Sequence, residues 1–243
     1  MITSVDNPRV KDVLRLRRSR ERRARGLFLA EGRREVERAL AAGLAVRSTY
    51  VAPELIPDWP HPAEDVSARV LARMSYRDEP EGVLAVVEAP TRTIPADATL
   101  VLVAVGIEKP GNLGAMARTA DAAGADALVV ADAASDPWNP NAIRSSTGAV
   151  FSLPVVHATL EDVCALPLTK IAAVLGAPTT HAAADLTTPT ALIVGPEDTG
   201  LVAAWRQAAD LHVSIPMRGR TADSLNAATA AAILLYEAVR QRG

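Results

Sequence analysis

Gly106-Ile-Glu-Lys-Pro-Gly-Asn-Leu-Gly-Ala-Met-Ala-Arg-Thr-Ala-Asp-Ala-Ala-Gly124 is the stretch on which the fold turns. The run just before it, Leu100–Val105, is continuously apolar, as in a parallel strand buried on both faces. The strand must then end in a Pro/Gly/Asn turn, and a helix is predicted over 113–123. Loops of this kind lie at the carboxyl ends of parallel strands, where ligands bind. Asn112 is expected to cap the helix. Arg118 lies about one and a half turns further on. By spacing alone, a capped amphipathic helix with a surface arginine fits equally well. There is no Gly-x-Gly-x-x-Gly dinucleotide fingerprint, and no Gly-Lys-Ser/Thr follows to make a phosphate loop.

Two further loops repeat the strand–glycine–helix pattern. Leu192-Ile-Val-Gly-Pro-Glu-Asp-Thr-Gly-Leu201 runs from an apolar strand into Gly195, then Glu197, then Gly200. The glycines allow a ligand close to the backbone. Glu197 could orient a substrate or another loop, or serve only as a first-turn acid complementing the helix dipole. The third loop begins Ile215-Pro-Met-Arg-Gly-Arg and leads into an alanine-rich helix expected over 224–240, with Ser224 as its cap. Ser224 and Asn226 are polar positions that core packing does not explain. Further strands are expected at 127–131, 153–156, 170–174, 191–194 and 212–215, with helices at 140–146 and 199–208.

Upstream, residues 1–88 read as a smaller α/β module and residues 89–99, with two prolines and no apolar period, as a linker. One helix over 10–25 is expected, with Val13, Leu14 and Leu16 inside and arginines outside. The formal net charge is −2, but residues 1–40 carry twelve Lys/Arg against six Asp/Glu. That basic end on an acidic body suits a polyanion, although a solvated basic helix would give the same pattern. Aromatics make up only 3% of the chain, so a nucleic-acid surface would rely on arginine and backbone rather than stacking.

Several classes are excluded or disfavoured. One cysteine, Cys164, permits no internal disulfide framework, and the four histidines are scattered, so no metal is expected. The first residues lack an apolar signal core. The apolar stretch 225–239 is too short and polar to span a bilayer. The chain is read as cytoplasmic, with no membrane association.

Taken together, "PGNLGAMARTADAAG", "IVGPEDTGL" and "IPM…SLNAATAAAILLYEA" resemble the three motifs of the SpoU/TrmH class of the SPOUT superfamily. "NPNAIRSSTGAVFSLPV" (Asn139–Val155) is also similar. "NPRVK", "FLAEG" and "EGVLAVVE" resemble the substrate-binding domain often attached to these enzymes. The pattern departs at Pro196 and Asp198, which bears on the geometry of that loop. The resemblance implies an α/β trefoil-knot methyltransferase domain over 100–243 behind an N-terminal RNA-binding domain. It implies a homodimer and S-adenosylmethionine held around Gly195, Ile215, Met217 and Leu225. It also implies a ribose 2′-O-methyltransferase whose polar site positions are Asn112, Arg118, Glu197, Ser224 and Asn226.

Attack by a ribose 2′-hydroxyl on a sulfonium methyl needs help with proton loss and a fixed approach. Arg118 is expected to bind the RNA phosphate and assist that proton's loss. Stabilising the developing alkoxide is physically easier than acting as a base, because arginine stays protonated. Arg15, Arg18, Arg22 and Arg144 are expected to contact RNA. The extra N-terminal module favours 23S ribosomal RNA over transfer RNA. Two rival readings are a non-catalytic RNA-binding or ribosome-assembly protein and an unrelated Rossmann-like enzyme. The full polar set opposes the first, and the missing glycine fingerprint opposes the second.

Overall fold

The computed structural model describes residues 1–132 and 135–243. The chain forms two compact units, Met1–Thr91 with Trp138–Phe151, and Arg92–Pro137 with Ser152–Gly243.

The first unit starts with two short helices, α1 (Pro8–Arg15) and α2 (Ser19–Arg25), where one was expected. Asn7 caps α1, accepting from the Arg9 amide at 2.9 Å. The break has a physical cause: Leu16 turns into the core, and α1 then closes through Leu16 N–H to Val13 O at 3.0 Å. Next come β1 (Leu27–Glu31), α3 (Arg33–Ala41), β2 (Val46–Val51), β3 (Glu64–Asp65), α4 (Ala68–Met74) and β4 (Val83–Glu88). The sheet runs β1-β4-β2-β3, with β4 antiparallel to both β1 and β2, and β3 parallel to β2.

On one face Val10, Val13 and Leu16 pack with Leu29, Leu71, Met74 and Leu84; Leu14 is only partly buried. Phe28, on the other face, stacks on Trp138 at 4.7 Å and Phe151 at 5.6 Å between ring centroids. Residues 138–151 were placed by sequence inside 100–243; covering Phe28 with these rings draws them to the first unit.

The second unit contains β5 (Leu100–Val105), α5 (Pro110–Ala122) and β6 (Ala127–Ala131). The chain then runs through α6 (Pro140–Ser145), which belongs to the first unit, before returning. It continues with β7 (Val155–His157), α7 (Leu160–Cys164), β8 (Thr169–Ala173), β9 (Thr179–Thr180), β10 (Thr190–Val194), α8 (Ala203–Ala208), β11 (Leu211–Ser214) and α9 (Ala227–Arg242). The seven strands lie in the order β7-β6-β5-β10-β8-β11-β9, and every pairing is parallel. β5, β6 and β10 are buried throughout, as strands covered on both faces must be. β9 was missed because two residues carry no period.

The chain leaves β5 toward β6 and β7 on one side, then crosses to β8, β10 and β11 on the other. That switch point is where open parallel sheets build ligand sites. α9 packs on α5 and on β10. Its residues Ala227, Ala228, Ala231, Leu234, Leu235 and Ala238 are buried. Small side chains at the start of that face keep α9 close to its neighbours.

Candidate active site

The site is assembled by three loops at the carboxyl ends of the parallel strands. After β10 the backbone turns sharply: Gly200 N–H donates to Pro196 O at 3.0 Å. Gly195 is required by close approach. A Cβ there would lie 2.8 Å from Leu201 N and 2.9 Å from the Gly200 carbonyl carbon, both backbone atoms. Pro196 sits against Gly106, whose φ is +61°, so the loops after β5 and β10 adjoin. Pro196 therefore fits this turn, and Asp198 Oδ1 accepts from Thr199 N at 2.9 Å within it.

Three of the expected polar residues meet directly. Asn226 Nδ2 donates to Glu197 Oε2 at 2.8 Å and to Asn112 Oδ1 at 3.1 Å. Asn226 Oδ1 accepts from the amides of Ala228 and Thr229 at 3.0 and 3.4 Å, which caps α9. Asn226, not Ser224, is thus the helix cap. Asn112 is not a cap either. The cap position of α5 is Lys109, which uses no side-chain cap, and Pro110 occupies the first turn.

Lys109 is the residue that sequence reasoning missed. Its Nζ pairs with Glu197 Oε1. A cation at a helix N-terminus opposes the dipole, and that mismatch within "EKPGN" was the available signal. Hydrogen bonding to Lys109 holds the Glu197 carboxyl below its ordinary value and the Lys109 ammonium above its own. Glu197 is therefore an anion at neutral pH.

Beside this junction is a cavity of about 240 Å³. Gly195, Ile215, Met217 and Leu225, the four expected cofactor residues, all line it, as do Ser224 and Glu197. Val174, Leu201 and Arg206 also contribute, and the sequence had not marked them. The walls are chiefly aliphatic, and Glu197, Asp198, Thr199, Arg206 and Ser224 are polar residues of the lining.

Arg118 does not join the junction. Six residues beyond Asn112, it lies about 120° around α5. It is exposed and has no hydrogen-bond or ion-pair partner among the described residues. In the first unit, Arg15, Arg18 and Arg144 are also exposed. Arg22, grouped with them as an expected RNA contact, is 3% exposed. Its Nη1 donates to Leu16 O at 2.8 Å and Arg17 O at 3.0 Å, so it secures the end of α1 and does not face solvent. No helix among the described residues is long and apolar enough to cross a membrane. No group of three His, Cys, Asp or Glu among them is placed to hold a metal.

Residues 99–236 match the SpoU rRNA Methylase family, and residues 7–85 match an MRM3-like substrate binding domain. The chain is 35% identical to the 23S rRNA (guanosine(2553)-2′-O)-methyltransferase RlmP of Bacillus subtilis over 97% of both chains. It is 46% identical over 143 residues to the 23S rRNA (uridine(2479)-2′-O)-methyltransferase of Streptomyces viridochromogenes; that match covers 55% of this chain and half of the relative. The crystal structure of the SpoU methyltransferase AviRb from Streptomyces viridochromogenes with AdoMet superposes with a TM-score of 0.86. It is 34% identical, covering 97% of this chain and 98% of that one.

Proposed function

This chain belongs to the SpoU rRNA methylase family, and on that premise we propose that it methylates a ribose 2′-hydroxyl of 23S ribosomal RNA with S-adenosylmethionine. The observation that carries the proposal is the Asn112–Glu197–Asn226 junction at the rim of the cavity. Three loops remote in sequence bring their polar side chains to one point at the switch of a parallel sheet.

The cavity fits the cofactor's chemistry. Ile215, Met217, Leu225 and Leu201 offer apolar walls to an adenine, and the absent side chain of Gly195 lets backbone line the pocket. Glu197, a carboxylate at neutral pH whose Oε1 pairs with Lys109, lies beside the space for a cationic ligand. When bound, S-adenosylmethionine supplies an electrophilic methyl group.

The chain's own residues do the rest. Asn226 fixes the Glu197 carboxylate and the Asn112 amide in one orientation, so neither has to reorganise when the ribose arrives. Ser224 presents a hydroxyl at the cavity edge. Arg118 has no partner among the described residues, so its guanidinium is available to hold an RNA phosphate and to stabilise charge growing on the 2′-oxygen. Its position around α5 from Asn112 supports a homodimer in which a second copy's Arg118 completes each site. Arg15 and Arg18 form the sequence-independent grip on RNA, and Arg144 is a further RNA contact. A cytoplasmic location follows from a ribosomal substrate. The limits 1–88, 89–99 and 100–243 as stretches of sequence, with 138–151 packing in the first unit, the knot and an independence from metal belong to this same proposal.

Incubation with tritiated S-adenosylmethionine and fractionated bacterial RNA tests it. Label in 23S RNA supports the proposal. Cofactor binding with no label in any RNA contradicts it.

A further inference from the structure

The first unit holds a pocket of about 200 Å³, largely polar and lined by none of the junction residues. It is lined by Glu31, Glu35, Tyr76 and Arg77 and by Asn141 and Arg144. Glu31 is satisfied there: its Oε1 accepts from the Tyr76 amide at 2.7 Å, and its Oε2 from the Arg77 amide at 3.3 Å. Glu35 differs. It is 1% exposed, and its Oε1 takes the Arg34 guanidinium at 2.7 Å. Its Oε2 accepts no hydrogen bond, although Arg77 Nη2 lies 3.5 Å from it. Gly32, at φ +92°, makes room for this arrangement, since a Cβ there would meet Glu81 Oε2 at 2.5 Å and Glu35 Oε2 at 3.3 Å.

A buried carboxylate oxygen without a donor is costly, so it calls for a ligand that brings one. A phosphate is unsuitable, because it would face the carboxylates of Glu31 and Glu35. A metal ion is unsuitable too, since no three acidic groups among the described residues converge on one point. A neutral donor edge fits. Around the orphan oxygen are donors of the opposite kind, Asn141 and the exposed Arg144, and an exposed aromatic ring, Tyr76, with the Arg17 guanidinium 5.6 Å over it.

We propose that this pocket receives one unstacked guanine of the RNA substrate. The inference rests on the RNA-methyltransferase reading and adds a specificity element to it. Guanine presents N1–H and N2–H₂ donors on one edge and O6 and N7 acceptors on another, which pair with Glu35 and with Arg144 or Asn141. Tyr76 provides the surface on which a splayed base stacks. The basic helices bind backbone without reading sequence; this pocket reads one base.

The test uses the full chain and fluorescein-labelled oligouridylates carrying one central guanine, inosine or uracil, read by anisotropy. The guanine oligonucleotide binds about tenfold tighter than the uracil one, the discrimination of one good base contact. Inosine, which lacks the N2 amino group, loses most of that gain. Glu35→Gln puts a donor where the acceptor was and abolishes the preference while binding of plain oligouridylate persists. Should Glu35→Gln fail to fold, Tyr76→Ala at the surface must reduce the same preference. Equal binding of all three oligonucleotides, or an equal loss for all three in Glu35→Gln, overturns the pocket and leaves the methyltransferase reading intact. Binding of none removes the first unit's role in holding RNA, and the pocket with it.

Discussion

Asn226 donates to Glu197 Oε2 at 2.8 Å with the same side chain that caps α9. One residue thus fixes both the start of a helix and the orientation of a carboxylate. Two substitutions separate these roles. Asn226→Ala loses cap and donor, and should cost about 1 kcal/mol of stability as well as activity. Asn226→Asp keeps a good capping oxygen but faces Glu197 with a second carboxylate. Its thermal midpoint should stay nearer wild type than that of the alanine variant while methyl transfer falls as far. Equal activity in wild type and Asn226→Asp would remove Glu197 orientation from the account.

The Lys109–Glu197 pair predicts a pH response with a definite sign. Hydrogen bonding to Lys109 lowers the folded-state pKa of Glu197 below 4.5. The contribution of a depressed carboxylate is complete above its unfolded value and disappears as pH falls through the folded one. Glu197 should therefore titrate below the ordinary carboxylate range by carbon NMR, and Lys109→Ala should move that titration upward. An unchanged Glu197 titration in Lys109→Ala would sever the pair.

Gly195→Ala tests close approach. The new methyl would meet backbone at 2.8 and 2.9 Å, so the turn after β10 must shift. Overpacking of this kind costs about 1–3 kcal/mol. We expect a folded protein whose calorimetric affinity for S-adenosylmethionine drops at least about tenfold, since the cavity wall moves with the turn. Wild-type affinity would place the cofactor elsewhere.

Arg22 and Arg18 look alike in sequence and should behave oppositely. Arg22→Ala removes a buried guanidinium that holds two carbonyls, and should destabilise by roughly 1–3 kcal/mol. Arg18→Ala should leave the thermal midpoint alone, weaken RNA binding uniformly across sequences, and reduce the salt slope of binding by about one. Matching effects of the two on RNA affinity and stability would contradict this division.

These contrasts show what was legible in the sequence and what was not. Apolar runs broken by glycine identified β5 and β10 and the loops after them, because burial on both faces of a parallel sheet leaves a continuous hydrophobic signature. Gly195, Ile215, Met217 and Leu225 were placed together through the family resemblance, and the structure brings them to one cavity. The fate of individual polar groups was hidden. Whether Ser224 or Asn226 caps α9 depends on where the backbone first turns helical, which a run of small residues does not mark. Nothing local shows that Arg22 folds back on Leu16 O or that Phe28 draws residues 138–151 to the first unit, since both depend on tertiary packing.

Methyl transfer to a ribose oxygen, assisted by Arg118, can be read from its product: the protein is incubated with S-adenosylmethionine and a 23S RNA transcript, the RNA is digested to nucleosides, and the methylated product is identified by mass spectrometry. The account predicts a 2′-O-methylnucleoside whose rate of formation falls by about 10²-fold or more in Arg118→Ala, the scale of losing one group that stabilises transition-state charge. A methyl group on the base, or a rate that does not depend on Arg118, would contradict it.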